Sequence, residues 1–118
     1  MEKFMREIKF RAWNKELNVM IRPEGVMMLP KGDGGQQMSA GAGWQYELMQ
    51  FTGLKDKNGK EIYEGDLIKI VDSPLYTVIW HFNRFILRGH STHEFRKIDV
   101  DHFYQVVGNI YENSELLK

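Results

Sequence analysis

His81, His90, His93 and His102, with Asp99 and Asp101, are the chain's main concentration of nitrogen and oxygen donors. Brought together, imidazoles and carboxylates of this kind would make a metal site, being ordinary ligands of zinc and related ions. The His90 and His93 spacing suits one edge of such a site. Short histidine pairs also occur in solvated polar loops, however, and spacing alone does not bring the other groups in. His93-Glu94-Phe95-Arg96-Lys97 begins like a zinc-protease helix, but Lys97 stands where the second histidine ligand is required. No general acid–base pair is marked either, because such a pair works only when the fold brings it within hydrogen-bond reach. The chain has no cysteine, which removes disulfides, thiolate metal sites and cysteine nucleophiles and fits a reducing, cytoplasmic setting. A metal-dependent enzyme using His90, His93 and an acid therefore ranks last among three functional readings, and no cofactor is expected.

The second reading is nucleic acid. Between Trp80 and Lys97, Arg84, Arg88, Arg96, Lys97, His81, His90 and His93 face a single acid, Glu94, and Trp80, Phe82, Phe85 and Phe95 are interleaved with them. Cations neutralise phosphates and aromatic faces stack bases, so the combination is suitable. Against it, the whole chain balances 16 basic with 16 acidic residues. A dedicated nucleic-acid binder usually carries a basic excess, and Trp80 and Phe85 are expected in the core. The leading reading is a protein-facing surface on Ile79, His81, Arg84, Ile86 and Arg88, since mixed apolar and arginine surfaces suit interfaces. A plain solvated sheet face is the alternative.

Other motifs fail on alignment. With Gly59 set on the invariant glycine of a calcium loop, Leu54 and Gly65 fall where carboxylate ligands belong. Neither Gly32-Asp33-Gly34 nor Gly41-Ala42-Gly43 continues into a dinucleotide fingerprint. Gly59-Lys60 is preceded, five residues back, by Leu54 and followed by Glu61, so no phosphate-binding loop is present there. Ser39 has Gln37 where a nucleophile elbow needs glycine.

The elements that must position these residues are strands. Ile8, Phe10 and Ala12 alternate with Glu7, Lys9 and Arg11, the period of a strand with one wet face. After the polar Asn14-Lys15-Glu16, the residues Leu17, Val19 and Ile21 resume the pattern until Pro23, giving an N-terminal hairpin. Val26 to Leu29 is a short apolar run. Gly32, Gly34, Gly35, Gly41 and Gly43 then mark a long arm, in which few side chains repay the entropy of ordering. Such an arm is expected to act as a plain loop or to order on binding. Tyr46 to Phe51 reads as a strand, and Asp56-Lys57-Asn58-Gly59 reverses the chain. Leu67, Ile68, Ile70 and Val71, apolar on both faces, predict a central strand ended by Pro74.

Tyr76 to His81 and Phe85 to Arg88 predict a hairpin turning at Phe82-Asn83, with Trp80 opposite Phe85 and Ile79 opposite Ile86. Tyr76, Val78, Trp80, Phe85 and Leu87 would then face the core. A polar, histidine-rich stretch follows, then a last strand from Phe103 to Tyr111 and a terminal turn through Glu115, Leu116 and Leu117 capped by Asn113. At 118 residues and 27% charged, this is a single compact domain's worth of ordinary globular sequence. No apolar run is long enough to span a bilayer, and no membrane partner is expected.

Three blocks carry a family resemblance: Ile8-Lys9-Phe10-Arg11-Ala12-Trp13; Leu48 through Thr52-Gly53-Leu54-Lys55-Asp56-Lys57-Asn58-Gly59 to Glu64-Gly65-Asp66; and Val107-Gly108-Asn109-Ile110-Tyr111-Glu112-Asn113. In this order they resemble the YopX family of phage and prophage proteins. The resemblance implies a phage or prophage-encoded cytoplasmic protein with a mainly β fold. Residues 1–118 would form one YopX-like domain, with the N-terminal β-hairpin, Gly-rich arm and connecting strand at 5–61 and a small SH3-like barrel part at 62–118. It implies no catalytic or binding residues. Asn14 departs from the acidic residue common in the family, a change expected only to alter a turn. The chain is thus expected to be a noncatalytic module that binds a host or phage protein or its own copy, with nucleic acid as the alternative.

Overall fold

The computed structural model describes residues 7–26, 46–90, 94–98 and 103–117. The Gly32 to Gly43 arm and His93, Asp99, Asp101 and His102 lie outside the described residues. The fold is mainly β, with one short 3-10 turn near the C-terminus. Its elements are β1 (Phe10–Asn14), β2 (Val19–Ile21), α1 (Pro23–Val26), β3 (Tyr46–Lys55), β4 (Glu61–Tyr63), β5 (Asp66–Ile70), β6 (Tyr76–His81), β7 (Arg84–Gly89), β8 (Phe95–Lys97) and β9 (Tyr104–Asn109). The chain divides into two compact units, residues 9–50 and residues 1–8 with 51–118.

In the first unit β1 pairs antiparallel with β2, Trp13 opposite Met20, and with the first half of β3, Ala12 opposite Leu48. The β1–β2 reversal is built by Asn14, whose Oδ1 accepts the backbone N–H groups of Glu16 and Leu17, both at 2.9 Å. The expected hairpin is present but shorter: Ile8 precedes β1 and Leu17 lies in the turn, both exposed. Pro23 does end β2, and it also opens α1, a one-turn helix for which proline's fixed φ is suited at the first position.

In the second unit the rest of β3 pairs with β4, Phe51 opposite Tyr63 and Lys55 opposite Glu61. The register slips between those pairs. There Gly53 has φ 91°, and the Thr52 hydroxyl donates to the Ile62 carbonyl at 2.8 Å. That is the signature of a bulge, with a side chain replacing the displaced ladder bond. The remaining strands form a curled antiparallel sheet in the order β8-β7-β6-β5-β9, compatible with a small barrel. β5 lies between β6 and β9, and its Leu67 and Ile68, on opposite faces, are both fully buried, as the doubly apolar pattern predicts. The core is Ile62, Ile68, Tyr76, Val78, Phe85, Leu87 and Tyr104.

Two further features of this unit depart from the pattern the sequence predicts. Phe95–Lys97, within the stretch expected to be a polar loop, is a strand paired to β7, with Arg88 opposite Phe95. Its residues are charged or exposed, so the hydrophobic pattern carries no strand signal. Asn113 does not cap the last turn with its side chain. Its Oδ1 accepts the Asn109 backbone N–H at 3.0 Å, and the 3-10 turn is closed by the Leu116 N–H donating to the Asn113 carbonyl.

Candidate partner-binding face

The β6–β7 hairpin has the predicted register: Thr77 opposite Arg88, Ile79 opposite Ile86, Trp80 opposite Phe85, His81 opposite Arg84. Phe82 and Asn83 form the two-residue turn, with φ of 51° and 67°. Both values are positive, as the tight turn that matches strand twist requires. Asparagine tolerates that region, whereas a bulky aromatic such as Phe82 is costly there. Phe82 is also 83% exposed, so no burial offsets the cost.

Side chains at opposed positions share a face, so Thr77, Ile79, His81, Arg84, Ile86, Arg88, Phe95 and Lys97 lie together on the side opposite Val78 and Leu87. This side is not uniformly wet. Ile86 is only 5% exposed and Thr77 is buried too, so Ile86 supports the face rather than presenting itself on it. Ile79 and His81 are half-buried, and Arg84 and Arg88 are exposed. The His81 ring stacks on Phe95, centroids 5.5 Å apart and planes 6° from parallel, and meets Phe82 at 4.2 Å. Among the described residues, Arg84, Arg88 and Lys97 have no acidic or hydrogen-bonding partner. Arg96 is different: it lies on the core side against the Tyr76 ring, whose hydroxyl holds the guanidinium more firmly in its charged form.

Trp80, expected in the core, stands edge-on to Phe85 at 4.7 Å but keeps 47% of its surface exposed. It sits one pair from the turn, at the end of the hairpin, and only Phe85 belongs to the central cluster. The two imidazoles among the described residues have separate partners. His81 is in the aromatic stack, and His90 is hydrogen-bonded to the Thr77 hydroxyl. Among the described residues no group of three or more histidine, aspartate or glutamate side chains could hold a metal ion. No helix among them is long and apolar enough to cross a membrane.

Several of the residues that carry the family resemblance, outside the β1 and β3 segments, are engaged in turns. Asp56 Oδ1 accepts the N–H groups of Asn58 and Lys60 at 2.8 and 2.9 Å, and its Oδ2 accepts that of Val106 at 2.9 Å. Burial pushes this carboxyl up, but the Val106, Lys60 and Asn58 N–H groups and the Lys60 ammonium outweigh it and hold the pKa below the ordinary aspartate value. Gly59, at φ 83°, closes the turn by donating to the Asp56 carbonyl. The fully buried Asp66 accepts the Tyr63 N–H at 2.8 Å across a turn in which Gly65 has φ 89°. Asn109 Oδ1 takes the N–H groups of Tyr111 and Glu112, and a Cβ on Gly108 would lie 2.5 Å from Asn113 Oδ1. These are structural duties.

A family model described as YopX protein matches residues 9–118. The chain belongs to the YopX family. Among solved structures, the YopX-family chain is similar to protein EF1440 from Enterococcus faecalis, at 27% identity and TM-score 0.64, over 97% of this chain and 100% of that one. It is also similar to YopX from Bacillus subtilis, at 18% identity and TM-score 0.60 with the same coverage, a likeness of fold. Comparison with curated proteins gives no match.

Proposed function

We infer that this YopX-family chain is a noncatalytic accessory protein of a phage or prophage, working in the bacterial cytoplasm by binding a host or phage protein or a second copy of itself. The contact is on the β6–β7–β8 face, through His81, Arg84 and Arg88, with Ile79 at its margin and Ile86 as its support. The observation that carries this reading is the set of exposed cations, Arg84, Arg88 and Lys97, without partners among the described residues and flanking the His81–Phe95 stack. Arginine and aromatic side chains are the types enriched where proteins bind one another. Phe82 adds to it, since an aromatic in a positive-φ position costs stability and this one, 83% exposed, has only its contact with the His81 ring to offset the cost.

The test is capture of partners by wild-type protein and by the Arg84→Glu/Arg88→Glu double variant, each with and without nuclease. A protein held by the wild type after nuclease and lost by the folded variant supports the reading. Identical capture by both removes it. Exposure of Trp80 favours nucleic acid as the second reading, because that ring is more available for stacking than the sequence suggests. Capture that disappears with nuclease and with added salt would select it.

A further inference from the structure

We propose that the partner presents an extended segment with acidic residues at alternate positions, and that this segment adds as a strand to the outer edge of β8. The inference rests on the binding role just assigned to this face and specifies what the face receives.

Backbone direction comes first. The Gly89 N–H donates to the Glu94 carbonyl, so Glu94 faces β7 with its backbone groups. In an antiparallel pair these roles alternate. Arg96 therefore also faces β7, while the N–H and C=O groups of Phe95 and Lys97 point away from it. β8 is the last strand in its sheet, and its three residues are exposed. Among the described residues, neither Phe95 nor Lys97 makes a hydrogen bond on that outer side.

Side-chain charge supplies the second constraint. Lys97 stands level with Ile86, midway along the strand direction between Arg84 and Arg88, and all three cations are on one face. Successive levels two residues apart are separated by about 6.6 Å, the interval between alternate side chains of any strand. An added strand with acids at alternate positions would set its carboxylates at that same interval on the same face. Lys97 would be adjacent, and the longer arginines one strand further in. Main-chain bonds would give affinity and the charge row register, the usual division in strand addition.

The probes are a blocked, fluorescent peptide of alternating glutamate and threonine, a peptide of the same composition with its glutamates in one block, and a single-stranded oligothymidylate of similar length. Binding is read by fluorescence anisotropy on the full chain. The alternating peptide is expected to bind most tightly, and Arg84→Glu/Arg88→Glu to weaken it by about tenfold or more. Two paired variants isolate the backbone contribution. Phe95→Ala removes the ring, whereas Phe95→Pro also removes the outward N–H, which β7 does not use; Lys97→Ala and Lys97→Pro repeat the comparison. Each proline should bind about fivefold more weakly than its alanine counterpart, the scale of one backbone hydrogen bond. Equal binding by both proline–alanine pairs, no peptide binding, or preference for the oligothymidylate would each overturn strand addition. If the arginine variant loses partner capture while proline and alanine variants remain equal, the face still binds protein and only the mode of docking is wrong.

Discussion

Replacing Asp56 should destabilise the chain in a pH-dependent way, and the geometry sets the size. The residue is 7% exposed and accepts three backbone N–H bonds, two within its own turn and one from Val106, fifty residues away. A hydrogen bond to a charged group contributes about 1.5–3 kcal/mol, but a donor that regains water recovers much of that. Asn58 and Lys60 are exposed and would be rehydrated, while Val106 is half-buried. Asp56→Ala should therefore cost about 2–4 kcal/mol, on the order of 10 °C in Tm for a chain of this size. Asp56→Asn keeps the Oδ1 acceptor but sets an amide N–H₂ against the Val106 N–H, and should cost about 1–2.5 kcal/mol at pH 7. The folded pKa is lowered from 3.8, so the native state favours the charged form. That contribution is complete above the unfolded value and disappears as pH falls through the lower folded value. Urea unfolding of wild type and Asp56→Asn at pH 7, 5 and 3 should show a gap that persists to pH 5 and narrows at pH 3. Overlapping curves at pH 7, or a gap as wide at pH 3 as at pH 7, would refute the reasoning.

Gly108→Ala should destabilise by about 1–3 kcal/mol, because its Cβ would overlap Asn113, and the Gly108→Ala/Asn113→Gly double variant should cost less than the sum of the single ones in thermal melts. Asn14→Asp should leave Tm unchanged or slightly raised, since the turn uses only Oδ1 as an acceptor, whereas Asn14→Ala should lose about 1 kcal/mol. Phe82→Asn should stabilise the hairpin by up to about 1 kcal/mol in urea unfolding while weakening partner capture, separating what the position costs from what it does.

Alternation and turn residues made most of the fold legible. The β6–β7 register followed from one recognisable turn, and β5 announced its central place by being apolar on both faces. β8 was hidden because Phe95, Arg96 and Lys97 are ordered by pairing with β7 rather than by burial. Trp80 stands outside the core, because alternation gives a residue's side of the sheet but not how far the core extends along the strand. The burial of Ile86 was equally invisible, since periodicity cannot say which parts of a second face are covered. Arg84 and Arg88 could be placed on one face from sequence, but their lack of acidic neighbours among the described residues depends on contacts between distant segments.

The turn at Asp56 has a consequence for assembly. Val106 donates to the Asp56 carboxylate, and the Tyr104 carbonyl accepts the Lys57 N–H, both on the side of β9 away from β5. A five-residue loop thereby acts as a stopper on one margin of the sheet, leaving growth a single direction. An added strand can therefore join this sheet only along β8, so the sheet takes a partner on one side and is closed to it on the other.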